Sequence, residues 1–205
     1  MPSPNDFFLG IGDFFGNLVP GAVLVAVLYR LNVIPGANDS PTTFAGFPHS
    51  WSIAALTVAA YLLGHFISVL ASSLDSSYDA VRKLRWPPSK DKAYDAAKLV
   101  RETKYPEHIG AMNTFQWSKA VLRVNCRDAF DEVARYEATS KLFRTLVLDA
   151  LIVACVCAAR GNLDGAMLGI LAAILSFWPY VDRRYKSTET AYRHVIVYLA
   201  GVAKK

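Results

Sequence analysis

Residues Leu142–Ala159 read LFRTLVLDALIVACVCAA, an apolar run of 18 residues in which Arg144 and Asp149 are the charged side chains. A helix of that length is about 27 Å long, close to the roughly 30 Å hydrocarbon core of a bilayer. Three further apolar runs of similar length lie elsewhere in the chain, at Phe14–Leu31, Ile53–Leu70 and Gly165–Val181. The sequence therefore predicts an all-α, polytopic membrane protein with four transmembrane helices.

The composition of the chain agrees with this prediction. Of the 205 residues, 53% are hydrophobic and 19% are charged, whereas a soluble domain ordinarily carries about 25% charged residues. The charged residues are concentrated between the apolar runs. We therefore interpret the basic pI as a sign of membrane topology, with the lipid bilayer as partner and no direct contact with nucleic acid.

The distribution of basic residues predicts the orientation. Twenty of the 22 Lys and Arg residues lie in residues 76–141, in the tail after Val181, or at Arg144. Basic segments remain cytoplasmic, which predicts a multi-pass membrane protein with both termini inside. The predicted organisation has four parts: residues 1–75 with an N-terminal interfacial segment and two spans, a cytoplasmic helical region at 76–141, two further spans at 142–181, and a cytoplasmic C-terminal helix at 182–205.

Small residues recur at intervals of four in each predicted span, and such residues allow helices in lipid to pack closely. The predicted contact positions are Gly12 and Gly16, Ala60, Gly64 and Ser68, Ala150 and Ala154, and Gly165 and Gly169. These faces are suited to a compact bundle or to a homo-oligomer. Pro20 lies inside the first run and predicts a kink or a late start, with Asp6–Asn17 as a separate interfacial helix.

A long helix is predicted to continue from the cytoplasmic region into the third span, because Thr114–Arg160 contains neither Gly nor Pro. Apolar residues recur along it at heptad-like spacing: Leu122, Cys126, Ala129, Val133 and Tyr136. This seam would pack on the predicted Lys90–Lys104 helix, on the C-terminal helix, or on another subunit or a cytoplasmic protein partner.

Polar side chains within the predicted spans have two interpretations. They are Asn17, His65, Arg144 and Asp149. They form either a hydrogen-bond network in which Arg144 neutralises Asp149, or an ion or proton path with Asp149 and His65 as partners. We favour the network, because one acid and one imidazole are few for a transporter.

The chain contains no catalytic, metal-binding or cofactor motif, which predicts a protein that is not an enzyme. Cys155 and Cys157 lie on different faces of one predicted helix and lack further ligands at their depth. Basic residues at the ends of the second and fourth runs are predicted to contact lipid headgroups: Arg82, Lys83, Arg85, Arg183, Arg184 and Lys186.

Two short stretches resemble bacterial four-span inner-membrane proteins. Asp13–Gly21, DFFGNLVPG, looks like the start of such proteins, and Glu137–Arg144, EATSKLFR, is similar to their entry into a span. Some proteins of this build are membrane components of antiphage defence systems. The resemblance implies an oligomeric sensor or membrane-perturbing effector that works through a cytoplasmic partner. The alternative is a small ion channel or transporter that uses Asp149 and His65.

Overall fold

The computed structural model describes residues 4–31, 49–86, 91–106, 110 and 112–202, and their side chains over 16–31, 54–86, 91–106, 110 and 112–201. These residues form helices and no strand, which confirms the all-α prediction. The helices are α1 (Pro4–Arg30), α2 (His49–Ala71), α3 (Asp75–Arg85), α4 (Lys92–Lys104), α5 (Thr114–Asn125), α6 (Arg127–Ala159) and α7 (Leu163–Val202). A 3-10 turn at Ser72–Leu74 joins α2 to α3.

Among the described residues, three helices are long and apolar enough to cross a membrane. They are Ala54–Arg85, which combines α2 and α3, then α6, and then Leu163–Gly201 within α7. In their most apolar windows only 22–28% of the residues are buried within the chain. The membrane-protein prediction is therefore confirmed at this level. In α1 the apolar stretch with described side chains, Gly16–Arg30, is shorter, and the fourth span stays a prediction.

The chain divides into two compact units. Met1–Asp75 and Lys141–Tyr180 form one, which we call the apolar unit, and Ser76–Ser140 with Val181–Lys205 form the other, the polar unit. Helices α6 and α7 supply residues to both.

Helices α1 and α2 of the apolar unit touch through their backbones. A Cβ atom on Gly64 would lie 1.8 Å from the carbonyl oxygen of Asn17, and one on Gly21 would lie 1.8 Å from that of Ala60. Pro20 is buried inside α1, which runs from Pro4 to Arg30 as one helix. The predicted separate helix at Asp6–Asn17 is therefore wrong. In lipid an interrupted helix would expose backbone groups with no water to bond them.

A tight turn joins α6 and α7. Gly161 adopts a positive φ of 72°, which glycine tolerates best, and the amide of Asn162 donates to the Cys157 carbonyl at 2.9 Å. The Asn162 side chain then accepts from the Gly165 amide at 2.9 Å and caps α7. Further along, a Cβ on Gly169 would approach Ala154 Cβ to 2.9 Å and the Ala150 carbonyl to 3.0 Å. The turn and the small residues thus bring α6 and α7 together.

The predicted helix from Thr114 to Arg160 is wrong in its length, because it breaks at Cys126. Cys126 has φ −147° and ψ 82°, outside the helical region, so that α5 ends at Asn125 and α6 begins at Arg127. The Asn125 side chain donates to the Val121 carbonyl at 2.8 Å, and so satisfies a carbonyl group in the last turn of α5. At the other end, Asn113 and Gln116 form a capping box that begins α5. The predicted C-terminal helix, in turn, is the continuation of α7 through Pro179.

We predict that Gly64→Ala lowers the stability of the apolar unit by about 1–3 kcal/mol, because its methyl group must displace the α1 backbone. Gly16→Ala is the matched control, since a Cβ there meets nothing within 4 Å. Thermal unfolding in detergent, followed by circular dichroism, measures both variants. Equal midpoints for the two would contradict the observed α1–α2 contact.

Candidate functional site

The heptad-like seam lies in the core of the polar unit. Leu122, Ala129 and Val133 are buried in one cluster with Ala97 of α4, Trp117 of α5, and Ala191, Tyr192, Val195 and Leu199 of α7. Cys126 packs against the same cluster, and the Arg183 guanidinium lies 5.7 Å from the ring centre of Tyr136. The seam is therefore occupied within the chain. Its buried positions offer no surface to a partner or a second subunit, contrary to that interpretation.

A cavity of about 640 Å³ opens in the polar unit beside this core. Its walls come from α3, α4, α5, α7 and the connection between α4 and α5. Three arginines, Arg82, Arg101 and Arg184, face one carboxylate, Asp79, in the lining. Aromatic rings complete the walls, among them Tyr192. The lining is thus rich in hydrogen-bond donors and carries an excess of positive charge.

Arg101 is the most enclosed of these cations, with 7% of its surface exposed. Its Nη1 donates to the Met112 carbonyl at 2.9 Å. Its Nη2 lies 4.0 Å from Glu102 Oε1, too far for a hydrogen bond, and its buried Nε has no partner among the described residues. A buried guanidinium is costly unless an anion and hydrogen bonds compensate it. Glu102 thus pairs with Arg101 at the limit of ion-pair distance, and no carboxylate in the described part of the chain is hydrogen-bonded to it.

The two other arginines have different surroundings. Arg82 Nη2 lies 3.2 Å from Oδ2 of the buried Asp91, which also accepts from the Tyr94 amide at 3.1 Å and caps α4. The Arg184 guanidinium lies 5.8 Å from the ring centre of Tyr78, within range of a cation–π contact. Asp91 therefore holds Arg82 at the wall of the cavity, and Tyr78 supports Arg184.

The predicted headgroup-binding residues fall into two sets. Arg82 and Arg184 line the cavity. The others interact nearby: Arg85 lies 4.9 Å over the Trp86 ring, which stacks on Tyr185 at 4.2 Å, and Lys186 pairs with Asp182 at 3.0 Å. Lys83 is exposed. The spacing of these six residues in the sequence predicted contacts with lipid headgroups. It could not show that Arg82 and Arg184 line a cavity, because the other walls of the cavity come from distant segments.

Asp75, Arg144 and Tyr180 form a hydrogen-bonded cluster in the apolar unit, just after the end of α2. Both oxygens of Asp75 accept from Arg144 Nη1 at 3.2 Å, and Oδ1 also accepts from the Tyr180 hydroxyl at 2.7 Å. Arg144 Nη2 donates to the Ser68 carbonyl at 3.4 Å, one turn before the 3-10 segment. Charge-assisted hydrogen bonds thus tie the end of α2 to α6 and α7.

The predicted intramembrane cluster does not form. Asp149 is 3% exposed, and neither of its oxygens has a hydrogen-bond partner among the described residues. Arg144 bonds Asp75 rather than Asp149, His65 is exposed, and the Asn17 backbone contacts Gly64. The expectation that Arg144 neutralises Asp149 is therefore wrong. The sequence signal that could have found the true partner is Asp75, which lies at the predicted inner boundary.

The described residues contain no group of three or more His, Cys, Asp and Glu side chains placed to hold a metal ion. No family model, curated protein or solved structure matches the chain. The geometry of the two units is therefore what bears on function.

Proposed function

We propose that this chain is a membrane component of a bacterial stress or defence system. In this proposal it sits in the inner membrane as an oligomer, receives a signal or a cytoplasmic partner at its polar unit, and responds by altering the membrane. The observation that carries the proposal is the two-unit construction, in which α6 and α7 belong both to an apolar unit and to a polar unit with its own core and cavity.

The outer surface of the apolar unit supports membrane residence and assembly. On α2, Phe66 is 66% exposed, and on α7, Leu175 is 65% exposed, with Val69, Leu70, Leu171 and Ile174 also exposed. Large exposed apolar patches mark a surface that meets lipid or another protein. The same surface accommodates acyl chains and, where helices of two copies meet, a subunit contact.

The shared helices support communication between the units. Val133 of α6 and Val195 of α7 are fully buried in the core of the polar unit. Farther along the same helices, Ala154 and Gly169 meet in the apolar unit. In this proposal the continuous helices α6 and α7 transmit the signal, and helix shifts are one of the known kinds of switching transition.

We predict that the full chain, purified in a mild detergent, has a mass above that of the 22.5 kDa monomer and that differently tagged copies purify together from one membrane. Light scattering coupled to gel filtration measures the mass, and a membrane-potential dye measures depolarisation on induction in cells. A protein that is strictly monomeric and leaves the membrane potential unchanged at every expression level would contradict the proposal.

A second candidate function is a small cation or proton channel that uses Asp149. The observation in its favour is the buried carboxylate with no partner in the described part of the chain, since an ionisable residue inside a span marks a candidate path. The exposed position of His65 gives no support to its predicted share of the path.

If the protein is such a channel, we expect a cation or proton flux into liposomes that contain it. The Asp149→Asn substitution then reduces the rate of this flux at least tenfold. Asn has nearly the same shape and cannot ionise, and His65→Ala is the control that leaves flux unchanged. A fluorescent pH or cation indicator inside the liposomes follows the flux. Flux at the original rate in Asp149→Asn would reject this function.

A further inference from the structure

We propose that the cavity of the polar unit binds a phosphate ester, and that Arg101, Arg82 and Arg184 hold its phosphate group. The argument for the binding site uses only the geometry of the cavity. The proposed function enters only in the further step that the bound ligand is the signal that the sensor detects.

The charge of the lining calls for an anion. The lining itself, with three arginines and Asp79, carries an excess of two positive charges; Asp91 and Glu102, the ion-pair partners of Arg82 and Arg101, lie outside it. A phosphate monoester carries about −1.5 to −2 charges near neutral pH. It therefore matches the charge of the lining, whereas a cationic amine would add to that charge.

The geometry of Arg101 supports the same class of ligand. One edge of its guanidinium is fixed by the bond to the Met112 carbonyl, and its side chain is about nine-tenths buried in the wall of the cavity. The planar guanidinium is suited to phosphate oxygens, which accept two parallel hydrogen bonds. An anion there would accept a hydrogen bond from the buried Nε, which has no partner among the described residues.

The size of the cavity indicates that the ligand is larger than a bare ion. A volume of about 640 Å³ lies within the range of small-molecule sites, roughly 300–1,000 Å³. The walls also present Tyr94, Phe115 and Tyr192, whose rings pack edge to face around Tyr192. Their apolar surface suits the organic part of an ester. Two sources carry a phosphate ester: a soluble mononucleotide, which is a monoester, and the headgroup of an anionic phospholipid such as phosphatidylglycerol, which is a phosphodiester with one negative charge.

The test uses the full chain in nanodiscs of phosphatidylcholine, titrated with adenosine 5′-monophosphate and, separately, with inorganic phosphate, with binding followed by calorimetry. A parallel titration in nanodiscs that contain phosphatidylglycerol identifies the source. Competition by the anionic lipid indicates a headgroup site, and equal binding in both nanodiscs indicates a soluble ligand. We expect saturable binding that Arg101→Gln weakens at least tenfold, because that variant loses the charge.

The controls separate loss of the site from loss of the fold. Arg184→Gln alters the lining, and Arg183→Gln alters the adjacent residue, which lies over Tyr136 and outside the cavity. Weaker binding in Arg184→Gln with unchanged binding in Arg183→Gln supports the site even if Arg101→Gln fails to fold. Two results would overturn the proposal. One is that neither saturable binding nor stabilisation by anionic lipid is seen, and the other is that all three variants bind as well as the unchanged protein. The mass and depolarisation measurements do not depend on this result, so either proposal can fail alone.

Discussion

The structure depends on the apolar unit being surrounded by hydrocarbon rather than by water. Its helices bury only a minority of their most apolar residues within the chain, and side chains as large as Phe66 and Leu175 face outward. In water, such exposure costs about 25 cal/mol for each Å² of apolar surface. In hydrocarbon it costs nothing, and the helices then associate by close packing. The backbone contacts at Gly21, Gly64 and Gly169 are the form that such packing takes.

The polar groups follow from the same constraint. Arg144 and Asp75 form an ion pair, and the Tyr180 hydroxyl donates to Asp75 from a third helix. In the polar unit, Ser76–Ser140 with Val181–Lys205, helices α4 and α5 are capped and the core consists of alanine, valine, leucine and aromatic side chains. Asp149 and Arg101 depart from these rules. Asp149 is buried with no hydrogen-bond partner among the described residues, and Arg101 is buried with an unpartnered Nε and with Glu102 at 4.0 Å. That is why each carries a functional hypothesis.

The features that local sequence determines were predictable. Apolar runs predicted the long helices. Gly64 and Gly169 were recognised because close packing in lipid requires small residues at regular spacing. The break at Cys126 was missed because no Gly or Pro marks it. The partner of Arg144 was missed because Asp75 is 69 residues away in sequence. The cavity was invisible for the same reason, since five separate segments build it.

The native cysteines provide the most direct test of the central claim. Cys155 is exposed on the surface of the apolar unit, whereas Cys126 is partly buried in the polar unit and Cys157 is buried. In proteoliposomes, single-cysteine variants would be treated with a water-soluble maleimide, and the rate of labelling measured by mass spectrometry. If the bilayer surrounds the apolar unit, Cys126 reacts and Cys155 is protected until the protein is unfolded in SDS. If water surrounds it, Cys155 reacts faster than Cys126, and the account is contradicted.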